Sequence, residues 1–155
     1  MTPQDFVNQV IVPALTALEL DTPAARELLL GTALQESGLR NIQQDGGPAL
    51  GYFQMEPQTH DDLWASYLTF RQSLAAKVKS LLPDGTGPSA DQLISCPQYA
   101  VAMARILYLR VPQAMPDAGD LDAQAAYYKQ WYNTPGGAAT TAEYVANWNA
   151  AMGTA

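Results

Sequence analysis

The sequence predicts a mainly α-helical protein (class α+β) with one small β-hairpin or ribbon in its first half. Two Thr-Pro pairs, at residues 2–3 and 22–23, have the residue types of a helix N-cap followed by a first-turn proline. Several later segments carry apolar residues at helical spacing. The helical pattern stops between residues 39 and 57, where a turn-forming Asp-Gly-Gly-Pro cluster precedes a short aromatic run.

The individual elements follow in chain order from these signals. The first two helices are expected over about residues 3–18 and 23–37, and Gly38 is a typical helix stop. The cluster at residues 45–48 predicts the turn of the hairpin, and residues 51–55 (GYFQM) predict an extended strand. The later helices are expected over residues 60–67, 69–82, 99–111, 121–132 and 141–152, with the strongly apolar segment 99–111 as the central buried helix.

Length and composition predict one globular domain over residues 1–155. Apolar residues make up 48% of the chain and charged residues 15%, which is typical of a globular protein, and no shift in composition divides it. No segment has the uninterrupted apolar length that spans a bilayer, so we expect no stable membrane insertion. The single cysteine, Cys96, has no partner for an internal disulfide, and we expect it to pack rather than react.

The charge pattern argues against two classes of partner. Eight basic and 15 acidic residues give a net charge of −7, and the basic residues are scattered. Nucleic acids and anionic membranes both favour a concentrated positive patch, so we expect neither as a partner. The first residues, MTPQDFVNQV, lack a basic segment followed by an apolar core, which predicts no signal peptide and synthesis in the cytoplasm.

One acidic residue stands out because it closes an apolar helix. The segment ARELLLGTALQESG places Glu36 in the last helical turn, next to the negative end of the helix dipole. Burial at such a position disfavours the charged carboxylate and raises its pKa, so that the group can donate a proton near neutral pH. Cleavage of a glycosidic bond requires such a donor for the leaving oxygen. Glu36 is therefore the candidate general acid.

Three short motifs connect this acid to a known family. The segments ESGL at residues 36–39 and GYFQMEP at residues 51–57 resemble the ES…GxxQxxP signature of the soluble lytic transglycosylase group of the lysozyme-like superfamily. The segment AYYKQWYNTPG at residues 126–136, with EYV at residues 143–145, is similar to the AYNxG…YV segment of that group. The resemblance covers about residues 24–150. It implies a lysozyme-like fold with a small β-hairpin after the catalytic helix.

The resemblance also implies a role for each matching residue. Glu36 would be the general acid/base that cleaves the β-1,4 bond between N-acetylmuramic acid and N-acetylglucosamine in the glycan strands of peptidoglycan, without a metal or cofactor. Ser37 would orient the glycan or the local backbone. Gln54 would hydrogen-bond a sugar N-acetyl group, and Tyr52 and Phe53 would form part of the cleft wall.

The third motif implies two further site residues. Tyr132 would hydrogen-bond or position Glu36, and Asn133 would fix the turn that brings its helix end to the site. The Asn-x-Gly of the family is stretched in this chain to Asn-Thr-Pro-Gly at residues 133–136, a departure that bears on the placement of Asn133.

Two alternatives to the transglycosylase interpretation stay open at this stage. Asp45, nine residues after Glu36, stands where the transglycosylase pattern usually has serine. Phage lysozymes of the T4 type resemble this chain in having an acidic residue at that offset, where it serves as a second catalytic carboxylate. With one carboxylate the sugar's own hydroxyl closes an anhydro ring, whereas with two a water molecule attacks. The other alternative is a non-catalytic virion or assembly protein that keeps the fold and binds glycan.

Two further expectations concern metals and location. Acidic residues next to His60 suggest a metal site, but adjacent residues on a helix point to different sides, so we expect none. The small size and the missing signal favour a phage product, either a released endolysin or a virion-carried enzyme that acts on the cell wall beside other virion proteins.

Overall fold

The computed structural model describes residues 1–133 and 136–153, and its regular structure in this part of the chain is helical. The mainly α class is confirmed. Helix α1 covers residues 3–18 as α-helical Pro3–Phe6, π-helical Val7–Ile11 and α-helical Val12–Leu18. The others are α2 (Pro23–Ser37), α3 (Pro57–Ser66), α4 (Gln72–Lys79), α5 (Gln92–Ser95), α6 (Pro97–Leu109), α7 (Leu121–Tyr128, extended by a π-helical turn, Lys129–Asn133) and α8 (Thr141–Met152), with a 3₁₀ turn at Leu68–Phe70.

The first two helices begin at the predicted Thr-Pro pairs. The Thr2 hydroxyl accepts the backbone N–H of Asp5 at 3.0 Å, and the Asp5 carboxylate accepts the N–H of Thr2 at 3.2 Å, which completes a capping box. Thr22 caps α2 by accepting the N–H of Ala25 at 3.1 Å. Helix α2 ends at Gly38, whose φ of 62° is the left-handed conformation expected of a glycine stop.

The predicted β-hairpin is wrong. The described residues contain only two isolated antiparallel bridges, Gln43 with Leu50 and Leu50 with Met55. Gly51 and Gln54 both adopt left-handed backbone conformations, with φ of 78° and 46°, which fold residues 51–54 into a tight turn instead of a strand. The backbone groups of Leu50 and Met55 close this turn with hydrogen bonds of 3.0 and 3.2 Å. We call residues 39–56 the site loop.

Helix α6 forms the centre of the core, as the sequence predicts. Residues 99–108 are all buried, and α6 packs against α1, α2 and α3. A buried hydrogen bond of 2.8 Å joins the hydroxyls of Thr32 on α2 and Tyr108 on α6, so the C-terminal halves of the two helices lie side by side. Glu36 follows Thr32 by one turn and is therefore placed at the edge of the core. No helix in the described residues is long and apolar enough to cross a membrane.

The packing of α2 against α8 depends on a glycine. A Cβ atom added at Gly31 would lie 2.0 Å from the Tyr144 hydroxyl oxygen and 2.4 Å from its ring carbon Cζ. Tyr144 is itself buried, and its hydroxyl donates to the Leu28 carbonyl at 3.4 Å, so a shift of the ring would disturb its packing and this hydrogen bond. The two helices therefore approach more closely than any side chain at position 31 permits.

We expect Gly31→Ala to lower the free energy of unfolding by about 2 kcal/mol. Overpacking costs roughly 1–3 kcal/mol, and a clash this close belongs at the upper end, offset in part by the about 1 kcal/mol that alanine gains in helix propensity. Urea denaturation measures the change. Gly87→Ala, where a Cβ meets no atom within 4 Å, is the control and should be nearly neutral. A Gly31→Ala protein as stable as wild type would contradict the packing.

Candidate active site

Glu36 lines a polar cavity of about 600 Å³ at the end of α2. This volume is typical of small-molecule sites. The wall comes from the end of α2, the site loop, the start of α3, helix α6 and the π-helical turn after α7. The lining residues are Glu36, Gln44, Ala49, Gln54, Met55, Glu56, Thr59, Leu107, Tyr132 and Asn133. We call this space the acid cavity.

A larger groove of about 820 Å³ lies elsewhere, between α7 and α8. Its lining is mostly alanine, with Asp122 as its one charged residue. None of the site residues that the sequence predicts lies in its described lining, so volume alone does not identify the candidate site. The acid cavity is the better candidate because its polar groups converge on a perturbed carboxyl.

The carboxyl of Glu36 is partly buried and fixed by one phenol. The Tyr128 hydroxyl donates to Glu36 Oε1 at 2.5 Å. Burial raises the pKa of Glu36 above its ordinary value, and the hydrogen bond from Tyr128 opposes this rise without cancelling it. No described residue hydrogen-bonds the second oxygen, Oε2. The carboxyl therefore keeps its proton to a higher pH than an exposed glutamate and presents one unpaired oxygen in a lined cavity.

Tyr128 belongs to a cluster of buried tyrosines that holds its ring in place. Its ring stacks on Tyr132 with centroids 5.9 Å apart and contacts Tyr144 at 5.1 Å. Burial, and then the neighbouring Glu36 carboxylate, raises the pKa of Tyr128 well above its ordinary value. The phenol is therefore a hydrogen-bond donor to Glu36 throughout the physiological pH range.

Tyr132 lines the cavity but does not contact Glu36 through its hydroxyl. That hydroxyl donates to the Phe53 carbonyl at 2.7 Å. The hydrogen bond to the acid, which the resemblance assigned to Tyr132, is made by Tyr128 one helical turn earlier. Sequence reasoning missed Tyr128. The available signal was the i,i+4 spacing, which puts both tyrosines on one helix face.

Ser37 is buried and connects α2 to the site loop. Its hydroxyl donates to the Tyr52 carbonyl at 2.7 Å and lies 3.1 Å from the Ala33 carbonyl. Of the two tasks that the resemblance implied for Ser37, orienting the backbone is the one this geometry supports. The Ser37 and Tyr132 hydroxyls together hold two consecutive carbonyls of the loop, those of Tyr52 and Phe53.

The side chains of Tyr52 and Phe53 turn away from the acid cavity. Their rings pack on Phe6 of α1, with centroid distances of 4.7 and 6.2 Å, and neither residue is part of the cavity lining. Phe53 is 1% exposed. The cleft wall expected from these aromatics is instead made by their neighbours Gln54 and Met55, because the tight turn directs the two rings into the core.

Gln54 lines the cavity from a left-handed backbone position. Its side-chain nitrogen donates to the carbonyls of Ile42 and Gly51, both at 2.9 Å. Since both partners are acceptors, the orientation of the amide is fixed with nitrogen toward the loop. No described residue donates to its oxygen, so Oε1 is left as an acceptor for a ligand N–H.

Asn133 also lines the cavity, and Lys129 holds it. The Lys129 ammonium donates to Asn133 Oδ1 and to the Gly137 carbonyl, both at 2.8 Å. This cation thereby connects Asn133 to Gly137, and the turn-fixing role expected for Asn133 stays a prediction. Thr134 and Pro135 of the stretched motif lie outside the described residues.

Two residues, Asp45 and Glu56, are candidates for a second catalytic carboxylate beside Glu36, and their surroundings differ. Asp45 is exposed in the turn of residues 44–47 and does not line the acid cavity; its neighbour Gln44 does. Glu56 does line the cavity, at the N-cap of α3, where its side chain makes no capping hydrogen bond. Sequence reasoning did not select Glu56. The sequence feature that could have identified Glu56 is its position directly before the first-turn proline of a helix, where a glutamate is a poor capping residue.

His60 has the surroundings of a structural residue. Its Nδ1 lies 2.9 Å from Asp61 Oδ1 and its Nε2 lies 2.6 Å from the Tyr99 hydroxyl, so neighbouring side chains engage both ring nitrogens. In the part of the chain that the structure describes, no group of three or more histidine, cysteine or acidic side chains is arranged to hold a metal ion.

Comparison with known proteins gave no match among family models, curated proteins or solved structures. The functional conclusion therefore depends on the chemistry of the acid cavity. The cavity combines a carboxyl with a raised pKa, a phenol that hydrogen-bonds it, and the amide side chains of Gln44, Gln54 and Asn133.

We expect Tyr128→Phe to raise the pKa of Glu36 further, because the lost hydrogen bond favours the ionised carboxylate. The protonated form would then persist to higher pH. Any activity that needs this proton would therefore decline at a higher pH than in the wild-type protein. Titration of the Glu36 side-chain ¹³C signal by NMR measures the shift. Tyr127→Phe is the matched control, since the Tyr127 hydroxyl donates to the Gln113 carbonyl instead. An unchanged or lowered pKa in Tyr128→Phe would refute this account.

Proposed function

We propose that this protein cleaves the β-1,4 bond between N-acetylmuramic acid and N-acetylglucosamine in peptidoglycan, by a lytic transglycosylase reaction with Glu36 as the general acid and base. The observation that carries the proposal is the partly buried Glu36 carboxyl, oriented by Tyr128 and lining a polar cavity. A glycosidase requires such a proton donor beside a groove that accepts a sugar.

The reaction uses one carboxyl twice. Protonated Glu36 gives its proton to the oxygen of the leaving sugar as the bond from that oxygen to C1 breaks. The carboxylate that forms is the state that the Tyr128 hydrogen bond favours, so this bond strengthens as the transition state develops. Glu36 then removes the proton of the C6 hydroxyl of the muramic acid, whose oxygen bonds to C1 and closes a 1,6-anhydro ring.

The amide groups of the cavity suit an N-acetylated sugar. Gln54 Oε1 has no donor among the described residues and is available to accept the N–H of an acetamido group. Asn133, fixed by Lys129, supplies a second amide in the same lining. Both amides are held by the protein before any ligand arrives, which lowers the entropy cost of binding.

We expect Glu36→Gln to reduce the release of soluble fragments from purified sacculi by about 10²–10⁴-fold, the usual contribution of a general acid. High-performance liquid chromatography of the released muropeptides measures the rate. Glu27→Gln is the matched control, because Glu27 lies on the same helix outside the acid cavity. If the Glu36→Gln protein clears sacculi at the wild-type rate, Glu36 is not the acid.

Glu56 favours a second candidate, direct hydrolysis. Its carboxylate lines the same cavity as Glu36, whereas Asp45 does not. In this reaction Glu56 takes a proton from water, the water oxygen bonds to C1, and Glu36 protonates the leaving oxygen.

Mass spectrometry of the released fragments separates the two reactions. If Glu36 acts alone, we expect the released fragments to carry 1,6-anhydromuramic ends, and Glu56→Gln should leave these ends unchanged. Reducing ends that Glu56→Gln abolishes and Asp45→Asn leaves intact would establish hydrolysis through Glu56 and refute the transglycosylase reaction. Loss of reducing ends in Asp45→Asn alone would instead assign the second carboxylate to Asp45.

A further inference from the structure

A second cavity, of about 350 Å³, adjoins the acid cavity. The two share Thr59, Leu107 and Tyr132 in their walls, so they lie side by side, and we call them together the cleft. The remaining wall of the second cavity consists of Arg110, Val111 and Pro112, which follow α6, and Trp131 from the π-helical turn after α7. A glycan strand bound across Glu36 has room to continue into this space.

The two parts of the cleft differ in charge. The acid cavity contains two carboxyl groups, those of Glu36 and Glu56, and no basic residue in its described lining. The second cavity contains one charged residue, Arg110, among apolar and aromatic neighbours. Although the protein has a net charge of −7, the positive charge of Arg110 attracts an anionic group to this part of the described cleft.

Trp131 gives the second cavity a fixed aromatic surface. Its indole N–H donates to Gln113 Oε1 at 3.1 Å, and the residue is partly buried against the core. The orientation of the ring is thereby set while part of it lies in the cavity wall. A flat apolar ring of this kind packs against the C–H face of a pyranose.

Arg110 is available to a ligand. Only its Nη1 is engaged, by Asp62 Oδ2 at 2.8 Å, and both side chains are substantially exposed, at 36% for Arg110 and 53% for Asp62. Exposed pairs of this type contribute little free energy, and a guanidinium has five N–H donors, so a second carboxylate can bind without breaking an essential contact.

We propose that Arg110 and Trp131 form a subsite for the muramic acid unit, in which Arg110 binds a carboxylate carried on the 3-O-lactyl substituent of that sugar. This proposal rests on the glycan cleavage proposed above. The carboxylate is the lactyl group itself in strands without peptides, or an acid of the stem peptide in substituted strands. Because N-acetylglucosamine has no carboxylate, the subsite fixes which of the two alternating sugars lies beyond Glu36 and so determines which bond is cut.

Binding in a Glu36→Gln background tests the subsite independently of catalysis. The ligands are glycan strands freed of peptide by an amidase, the same strands carrying stem peptides, and N-acetylglucosamine oligomers of equal length. We expect Arg110→Gln to weaken binding of at least one carboxylate-bearing ligand by about tenfold, the usual effect of one charge-assisted hydrogen bond, and to leave the N-acetylglucosamine oligomers unaffected. Isothermal titration calorimetry measures the affinities.

The pattern of losses identifies the source of the carboxylate. Loss on peptide-free strands assigns it to the lactyl group, and loss on substituted strands alone assigns it to the stem peptide. Arg110→Lys, which keeps the charge, should restore part of the affinity.

Asp62→Asn is the matched control. It removes the ion pair but leaves the guanidinium, so affinity should not fall. Unchanged binding of both carboxylate-bearing ligands in Arg110→Gln, equal loss on the uncharged oligomers, or an equal loss in Asp62→Asn would overturn the subsite. Failure of the proposed function appears separately, as wild-type protein that releases nothing from sacculi.

Discussion

The hydrogen bond from the Tyr128 hydroxyl to the Glu36 carboxyl joins two helices whose contacting residues are 92 positions apart in the chain. It determines where the last turn of α2 lies relative to the end of α7. It also acts on the chemistry, because it stabilises the ionised carboxylate while burial stabilises the protonated acid. A proton donor needs both influences: enough burial to hold its proton, and a partner ready for the charge that remains when the proton leaves.

The site loop shows how a cleft wall is built without a β-hairpin. Its tight turn sends two aromatic rings onto Phe6, and the hydroxyls of Ser37 and Tyr132 hold the backbone carbonyls of the same two residues. Core packing on one side and hydrogen bonds on the other fix the loop between α1, α2 and α7. Gln54 therefore reaches the cavity from a backbone that is anchored at its neighbouring residues, which is the rigidity that a binding group requires.

The cleft is electrostatically uneven although the protein as a whole is acidic. Carboxyl groups concentrate in the part that contains Glu36, and Arg110 lies at the other part. This difference in charge is the basis of the proposal that the ligand is a polymer whose neutral and anionic sugars alternate. Net charge argues against polyanions such as nucleic acid, but it says little about a ligand with one carboxylate per repeat, because the geometry of one guanidinium matches one carboxylate.

The sequence by itself determined the features that depend on neighbouring residues. Capping residues determine where two helices begin, after Thr2 and Thr22, and a left-handed glycine, Gly38, determines where the second one ends. The burial of α6 follows from its apolar composition. Glu36 could be selected for the same reason, as an acid at the end of an apolar helix. Only the tertiary structure decided that the loop turns instead of pairing, that Tyr128 rather than Tyr132 contacts the acid, and which carboxylate shares its cavity. These outcomes depend on contacts between distant segments, and such contacts override local propensity. Tyr52 and Phe53, for example, can pack against the core only once α1 and α2 have packed together.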